Sequence, residues 1–279
     1  MQDEFDDDLT DDALTDRVRV WQRRRGHRYS VDDVVTAWVA VRARPDVRAY
    51  LDLGCGIGSV LLMVVDRARP RCALGIEAQA TSIALARRNV LCNAFDHSTA
   101  LHHGDLRDPA SIARAFASSP AGFDLVTGTP PYKPAGSATV SPDSQRAHAR
   151  VELRGGVEAY LRAAAAVLAP AGVFVMCAEA ALDARVAAGA AAAGLSVVAR
   201  LDVVPMAGRK GRLFSVFSCA RAYAVSASPS LRAEQLVLRD AEGARTAAAR
   251  ELRLFFGLAT SASELPSPAR VRVQRSSLS

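Results

Sequence analysis

Lysine is nearly absent from this chain: of 35 basic residues, only Lys133 and Lys210 are not arginine. Paired cysteines are absent too. Cys55, Cys72, Cys92, Cys177 and Cys219 are odd in number and never spaced CxxC, which argues against a disulfide framework and a zinc site and predicts reduced, buried thiols. His27, His97, His102, His103 and His148 show no metal-ligand spacing and read as surface or edge residues, so no metal is expected. No apolar run approaches membrane length, and the N-terminus is acidic where a signal peptide would carry a basic region and an apolar one. A soluble, unsecreted, cytoplasmic protein, monomeric and without membrane contact, is the expectation.

What charge there is lies unevenly. Residues 1–16 hold eight acidic side chains and no Lys or Arg, a segment charge of −8 against a chain total of +6, so the remainder carries +14. Such a body suits a polyanionic partner, since arginine makes bidentate phosphate contacts and stacks on bases. An Ala- and Arg-rich coding bias with solvated arginines explains the charge alone about as well.

At 279 residues and 50% apolar, the chain is long enough for one large core, and a single domain is expected. Residues 1–16, acidic and poor in apolar groups, predict a disordered tail. Within a single unit of 17–257, residues 17–48 read as a strand at 17–21, a basic turn at 23–28 and a helix over 31–43. The core, 49–221, alternates strands near 49–53, 72–77, 98–102, 123–127, 172–177, 195–203 and 213–219 with helices near 59–68, 79–93, 108–117, 156–168 and 181–193. That rhythm predicts an α/β fold: seven strands in a mostly parallel, Rossmann-like sheet with helices on both faces. The Pro-, Ser- and Gly-rich stretch 133–155 is too long for an ordinary connection and predicts a flap. Residues 222–257 read as an extension with a strand at 236–239, a turn at 240–243 and a helix to about 257; 258–279 reads as a flexible tail.

Two loops carry the chemistry. LeuAspLeuGlyCysGlyIleGly at 51–58 is an apolar strand ending in a glycine turn, where backbone amides can approach a ligand. Its GxGxG spacing differs from the GxGxxG of dinucleotide-binding dehydrogenases, and no basic residue follows as in a P-loop. Glu77, at the end of the second core strand, can accept hydrogen bonds from both ribose hydroxyls, and Asp105, after the third, can accept from an adenine amino group. With Asp52 ahead of the loop these strand ends present an adenosine-shaped set; a helix N-cap role is the competing reading for Glu77 or Asp105 taken singly. Cys55, Gly58, Ala78 and Leu106 complete the candidate cofactor set, and Ser30 and Asp32 are candidates for a donor's amino-acid end, with helix capping as their alternative.

The second loop, GlyThrProProTyr at 128–132, follows the strand 123–127. Consecutive prolines remove N–H donors and leave carbonyl acceptors at nearly fixed φ. Acceptors are what an exocyclic amine needs, because hydrogen bonds to its two protons localise a lone pair otherwise delocalised into a ring. Thr129, Pro130, Pro131 and Tyr132 are therefore the candidate catalytic residues, with Tyr132 offering a face to stack a base at about 1 to 3 kcal/mol and Thr129 also next to the cofactor. With an intrinsically reactive sulfonium methyl donor, positioning alone supplies much of the acceleration.

Taken together, these motifs resemble the class I S-adenosylmethionine methyltransferases with an (Asn/Asp)ProProTyr signature, and among them the bacterial tRNA1(Val) adenine-37 N6-methyltransferases. The resemblance extends through GlyHisArgTyrSerValAsp at 26–32, AlaArgArgAsnVal at 86–90, AlaArgValGlu at 149–152, ArgLeuPheSerVal at 212–216 and LeuValLeuArgAspAlaGluGly at 236–243. It implies the class I methyltransferase fold and S-adenosylmethionine as cofactor. It also implies that Gly54, Gly56, Glu77 and Asp105 hold that cofactor while Thr129 to Tyr132 hold the amine. One departure is Thr129, where the family carries Asn or Asp. Its hydroxyl accepts a hydrogen bond but is shorter than a carboxamide, so either it grips the amine together with the Pro130 carbonyl, or the substrate differs, or activity is lost; retained methyl transfer is the expectation.

An RNA substrate, tRNA in particular, would meet Arg23, Arg24, Arg25 and Arg28 ahead of the core, Lys133 and Arg150 in the flap, and Arg209, Lys210 and Arg212 between the last strands. Basic clusters without interleaved aromatics favour phosphate contact over base reading. Rival functions are a protein glutamine N5-methyltransferase, disfavoured by the roughly 48 residues ahead of the first core strand, and a small-molecule N-methyltransferase, which needs no basic surface. A noncatalytic RNA-binding relative would have no reason to keep Glu77 and Asp105.

Overall fold

The computed structural model describes residues 8–134, 136, 141–224 and 231–259, beginning with a hairpin of β1 (Leu9–Ala13) against β2 (Arg19–Arg23). A disordered tail through residue 16 was expected, and the hairpin overturns this. Asp11 pairs with Arg19 at 2.8 Å and Asp12 with Arg28 at 2.9 Å, so arginines later in the chain neutralise the acidic run. Leu9 and Leu14 are buried and tie it to the core. Residues 1–7 lie outside the described residues. The strand expected at 17–21 sits two residues later because Leu14 and Thr15 donate back to the Val18 carbonyl in the hairpin turn. Helix α1 (Val31–Ala43) matches its expected span and starts with a capping box between Ser30 and Asp33.

Strands and helices then alternate: β3 (Ala49–Leu53), α2 (Ser59–Ala68), β4 (Cys72–Glu77), α3 (Ala80–Cys92), β5 (Thr99–His103), α4 (Pro109–Ser118) and β6 (Phe123–Gly128). Helix α5 (Ser144–Arg150) lies inside the expected flap, where no helix was expected; Asp143 caps it by accepting from the Arg146 amide. After α6 (Val157–Val167) come β7 (Leu168–Ala178), α7 (Asp183–Ala192), β8 (Leu195–Val204), β9 (Phe214–Arg221), β10 (Arg232–Val237) and α8 (Ala247–Phe255).

The main sheet has eight strands in the order β10-β8-β9-β7-β6-β3-β4-β5, parallel except for the pairings of β9 with β7 and with β8. The eighth, against seven expected, is β10. It begins before the apolar 236–239 run and lies parallel to the second half of β8, with buried Leu236 opposite Val203. Of the tail expected from residue 258, Leu258 packs on the core and 260–279 lie outside the described residues.

Apolar cores lie on both faces, as a sheet covered twice requires. One joins the hairpin, α1, α2 and α8 to the sheet; the other packs α6 and α7 against Leu51, Leu53, Phe174 and Met176. Each fully buried Leu or Phe contributes about 2 kcal/mol. Between β3 and β6 the strand order reverses, so the loops leaving their carboxyl ends diverge and open a crevice. Among the described residues no helix is long and apolar enough to cross a membrane.

Candidate active site

A cleft of about 930 Å³, including its open mouth, fills that crevice and gathers the loops after β3, β4, β5 and β6. The glycine turn forms its floor. Gly54 adopts φ +63°, and a side chain there would strike the Tyr160 hydroxyl of α6, so only glycine fits on two counts. The Cys55 amide donates to the Ile76 carbonyl at 2.9 Å, fastening the turn to β4. Asn89 of α3, fully buried, donates to the Ile57 and Trp21 carbonyls at 2.9 and 3.0 Å and accepts from the Trp21 amide at 2.7 Å. One carboxamide thus stitches the turn, the hairpin and α3 together.

Three buried carboxyls ring the turn. Glu77 accepts from the Gly56 amide at 3.0 Å and from the Gln79 amide at 2.6 Å, so it serves the helix start and the glycine turn at once and keeps lone pairs toward the cleft. Burial pushes its carboxyl up, against the backbone amides and Arg154, which pull it down. Asp52 accepts from the Thr127 hydroxyl at 2.7 Å, and Tyr50 lies 2.7 Å from that same hydroxyl. Thr127 gives its one proton to Asp52, so Tyr50 donates to Thr127. The second Asp52 oxygen, Oδ2, has no partner, and burial pushes the carboxyl up to about 7. Asp33 is raised well above the carboxylate range by burial and by neighbouring Asp32.

Of the expected cofactor residues, Asp52, Gly54, Cys55, Gly56, Glu77, Ala78, Asp105, Leu106 and Thr129 line the cleft. Asp105 is gripped by Arg107 through bonds of 3.0 and 2.8 Å, which hold its carboxyl below the usual value; an adenine amino group would share it. Gly58 caps α2 instead of lining the cleft. Ser30 and Asp32 do not line it either: Ser30 begins α1, its hydroxyl bonded to Asp32, and the next acid along, Asp33, faces the cleft with Ser59. Successive residues in the first turn of a helix point about 100° apart, so adjacent acids take different surroundings.

The amine loop is split in the same way. Thr129 and Pro131 line the cleft and Pro130 is buried beside it. Tyr132 turns toward α1, where its hydroxyl donates to Asp32 at 2.8 Å and lies 3.0 Å from the Cys177 sulfur.

A family model described as "Methyltransferase small domain" matches residues 31–200, more than half of the chain. The chain belongs to that family. This methyltransferase small domain is 31% identical over 139 residues to the tRNA1(Val) (adenine(37)-N6)-methyltransferase of Musicola paradisiaca, covering 50% of this chain and 52% of the relative. It is 33% identical over 155 residues to the release factor glutamine methyltransferase of Caulobacter vibrioides, covering 52% and 49%. The chain spans about half the length of the curated relatives it matches. Among solved structures, a predicted O-methyltransferase from Agrobacterium tumefaciens superposes with a TM-score of 0.60 at 18% identity over 82% of this chain and 98% of that one, which establishes the fold.

The methyltransferase small domain commits part of its basic surface internally. Arg23 pairs with Asp143 at 3.0 Å and Asp8 at 3.5 Å, Arg28 with Asp12, and Arg212 with Asp183 and Asp202. Arg24, Arg25, Lys133, Arg150, Arg209 and Lys210 are exposed. Lys133 and Arg150 adjoin, the Lys133 amide donating to the Arg150 carbonyl at 3.0 Å, and close the neck of the flap beside the amine loop. Glu152 pairs with Arg185 at 2.9 Å, and Arg154 reaches the Ala78 carbonyl beside Glu77.

Several cleft residues carried no recognisable signal. His27 and His148, read as surface residues, face the cleft; burial pushes the His27 imidazole down, against the pull of Asp32. Gln145 of α5 is buried, accepts from the His27 amide at 3.2 Å and donates to Ser82 at 3.2 Å, bracing the flap across the cleft. Tyr160 could have been suspected only by knowing that α6 passes under the glycine turn.

Proposed function

We propose that this chain is an S-adenosylmethionine-dependent N-methyltransferase whose acceptor is adenine N6 in an RNA, tRNA in particular. One observation carries the reading: Asp33, Asp52 and Glu77 line the cleft, with Arg154 reaching in beside Glu77, while Lys133 and Arg150 are exposed together beside the amine loop. A dinucleotide would press its anionic pyrophosphate among three carboxyls; a sulfonium donor with an ammonium group brings positive charge to them. The unpartnered Oδ2 of Asp52 is the acceptor such a ligand would satisfy.

Glu77 would take the ribose hydroxyls, Asp105 and Leu106 the adenine end, and Asp33 and Asp52 the cationic end. The cofactor supplies an electrophilic methyl on a positively charged sulfur. Thr129 and the Pro130 carbonyl accept hydrogen bonds from the incoming amine and hold its nitrogen opposite that methyl, while the donor-poor prolines offer nothing to compete for its lone pair. The basic rim draws in a polyanion.

A glutamine side-chain amide presents the same NH2, and relatives of both kinds match at similar identity. Incubating the protein with radiolabelled donor and total RNA or total protein, then digesting the product, separates the two. Label in N6-methyladenosine is expected; label in a glutamine derivative overturns the RNA reading.

A further inference from the structure

The segment that returns from the flap is fixed on both sides of Arg154. Upstream, the Glu152 amide donates to the Lys133 carbonyl at 2.9 Å, and Arg185 of α7 grips the Glu152 carboxylate through two bonds of 2.9 and 3.0 Å. Downstream, Gly155 turns the chain at φ +86°, and Gly156 passes so close to the Glu152 carboxylate that a side chain there would strike it. Between these anchors Arg154 supplies a permanent cation to the lining of the donor cleft, donating to the Ala78 carbonyl at 3.0 Å.

That cation stands where β4 and β5 end. Burial raises the Glu77 carboxyl, against the backbone amides and Arg154, while Arg107 holds Asp105 low with Arg154 adding to the pull. Asp52 and Cys55 of the glycine turn and Tyr160 of α6 also face Glu77; burial pushes all three up, and none of them can carry a positive charge. Asp33 and Asp52, the carboxyls proposed for the cationic end of the donor, belong to α1 and β3 instead. A fixed cation at that end would repel a sulfonium ligand. At the adenosine end the ligand is neutral, and one bond to Ala78 leaves the guanidinium further N–H donors.

We infer that Arg154 is a donor-binding residue that holds the adenosine end of S-adenosylmethionine from the flap side. This rests on the donor reading above. Arg154 donates to the ligand directly, and its charge keeps Glu77 ionised as an acceptor for the ribose hydroxyls. The segment that carries it begins at the Lys133 and Arg150 neck, so one stretch of chain borders both the donor and the amine loop.

The test is calorimetry on the full chain with three ligands: the sulfonium donor, its demethylated product and adenosine. Arg154→Gln is expected to weaken all three about tenfold, because adenosine is common to them. Arg154→Lys, which keeps the charge and loses the planar fork, should weaken them about threefold. Adenosine is neutral, so its pH dependence reads Glu77 without the ammonium and sulfonium groups that Asp33 and Asp52 would meet. In Arg154→Gln the pH below which adenosine affinity falls should move up, since Glu77 loses the cation that opposes its burial; in Arg154→Lys it should stay at the parent's value. The inference is overturned if Arg154→Gln binds all three ligands as the parent does. It is equally overturned if affinity drops while that pH profile stays in place, which is what a purely structural role for Arg154 would give. A parent that binds none of the three defeats the donor reading itself, whereas a parent that binds them and puts methyl label into glutamine instead of RNA defeats only the acceptor reading.

Discussion

The Tyr132 hydroxyl donates to Asp32 across 2.8 Å, joining the amine loop after β6 to the first turn of α1 over a hundred residues of chain. The ring expected from the sequence to stack the substrate base is therefore turned toward α1 by an acid outside its own loop, and the tether fixes the end of the amine loop. Tyr132→Phe keeps the ring and removes the tether. About one hydrogen bond is lost, so kcat/KM for RNA should fall about threefold to tenfold with donor affinity unchanged. Unchanged turnover in steady-state assays would mean that the tether does not hold the amine loop in place.

Donor and acceptor roles fall on different residues. Glu77→Ala should abolish donor binding in calorimetry, because Glu77 is both a proposed ribose acceptor and the anchor of the Gly56 and Gln79 amides. Tyr132→Ala should spare it. Equal loss in the two variants would contradict the division.

Thr129 stands where the resembling family carries a carboxamide or carboxylate. Thr129→Asn lengthens the acceptor without changing the prolines, and turnover equal to or above that of the parent is expected if the hydroxyl does the same work. Complete loss of turnover, with donor binding intact, would mean that this loop is built for a different amine.

Asp52 makes the cleft sensitive to pH. Burial pushes its carboxyl up to about 7, above the ordinary carboxylate value of about 4, so the folded chain holds a proton that the unfolded chain releases. Stability is then greatest below about pH 4 for this group and is lost as pH rises toward 7, by about 4 kcal/mol at 1.36 kcal/mol per pH unit. Asp33 and Glu77 are raised in the same direction. A cationic donor favours the ionised carboxyls, so its affinity should climb from pH 6 to 8 with proton release on binding. Calorimetry in two buffers of different ionisation enthalpy measures this; a flat affinity with no proton release would show that Asp52 stays charged in the free protein.

Asn89 anchors three backbone groups. Asn89→Ala leaves the Trp21 amide and the Trp21 and Ile57 carbonyls short of a partner and should cost about 3 kcal/mol in denaturant unfolding. Donor affinity should weaken along with stability, because the glycine turn loses its brace.

Periodicity read the core well because the core strands are mainly apolar runs bounded by turns, and helices α1 and α2 fall on their expected spans. It failed at residues 9–16, where charge density suggested disorder: the arginines that neutralise Asp11 and Asp12 come later in the chain, at 19 and 28. Helix α5 was hidden in a stretch whose composition reads as loop, and its stability comes from the Asp143 cap, the Arg23 ion pair and the buried Gln145.

The residues alone determined the glycine turn, the acidic strand ends and the donor-poor proline loop, because these depend on local backbone freedom and on which atoms a side chain carries. Tertiary structure decided which of two adjacent acids faces the cleft, that Tyr160 lies beneath Gly54, and that Tyr132 answers to Asp32. It also brought arginines 28 and 253, from opposite ends of the chain, to one cavity. Burial and electric fields depend on distance in space, and only the packed sheet fixes that distance.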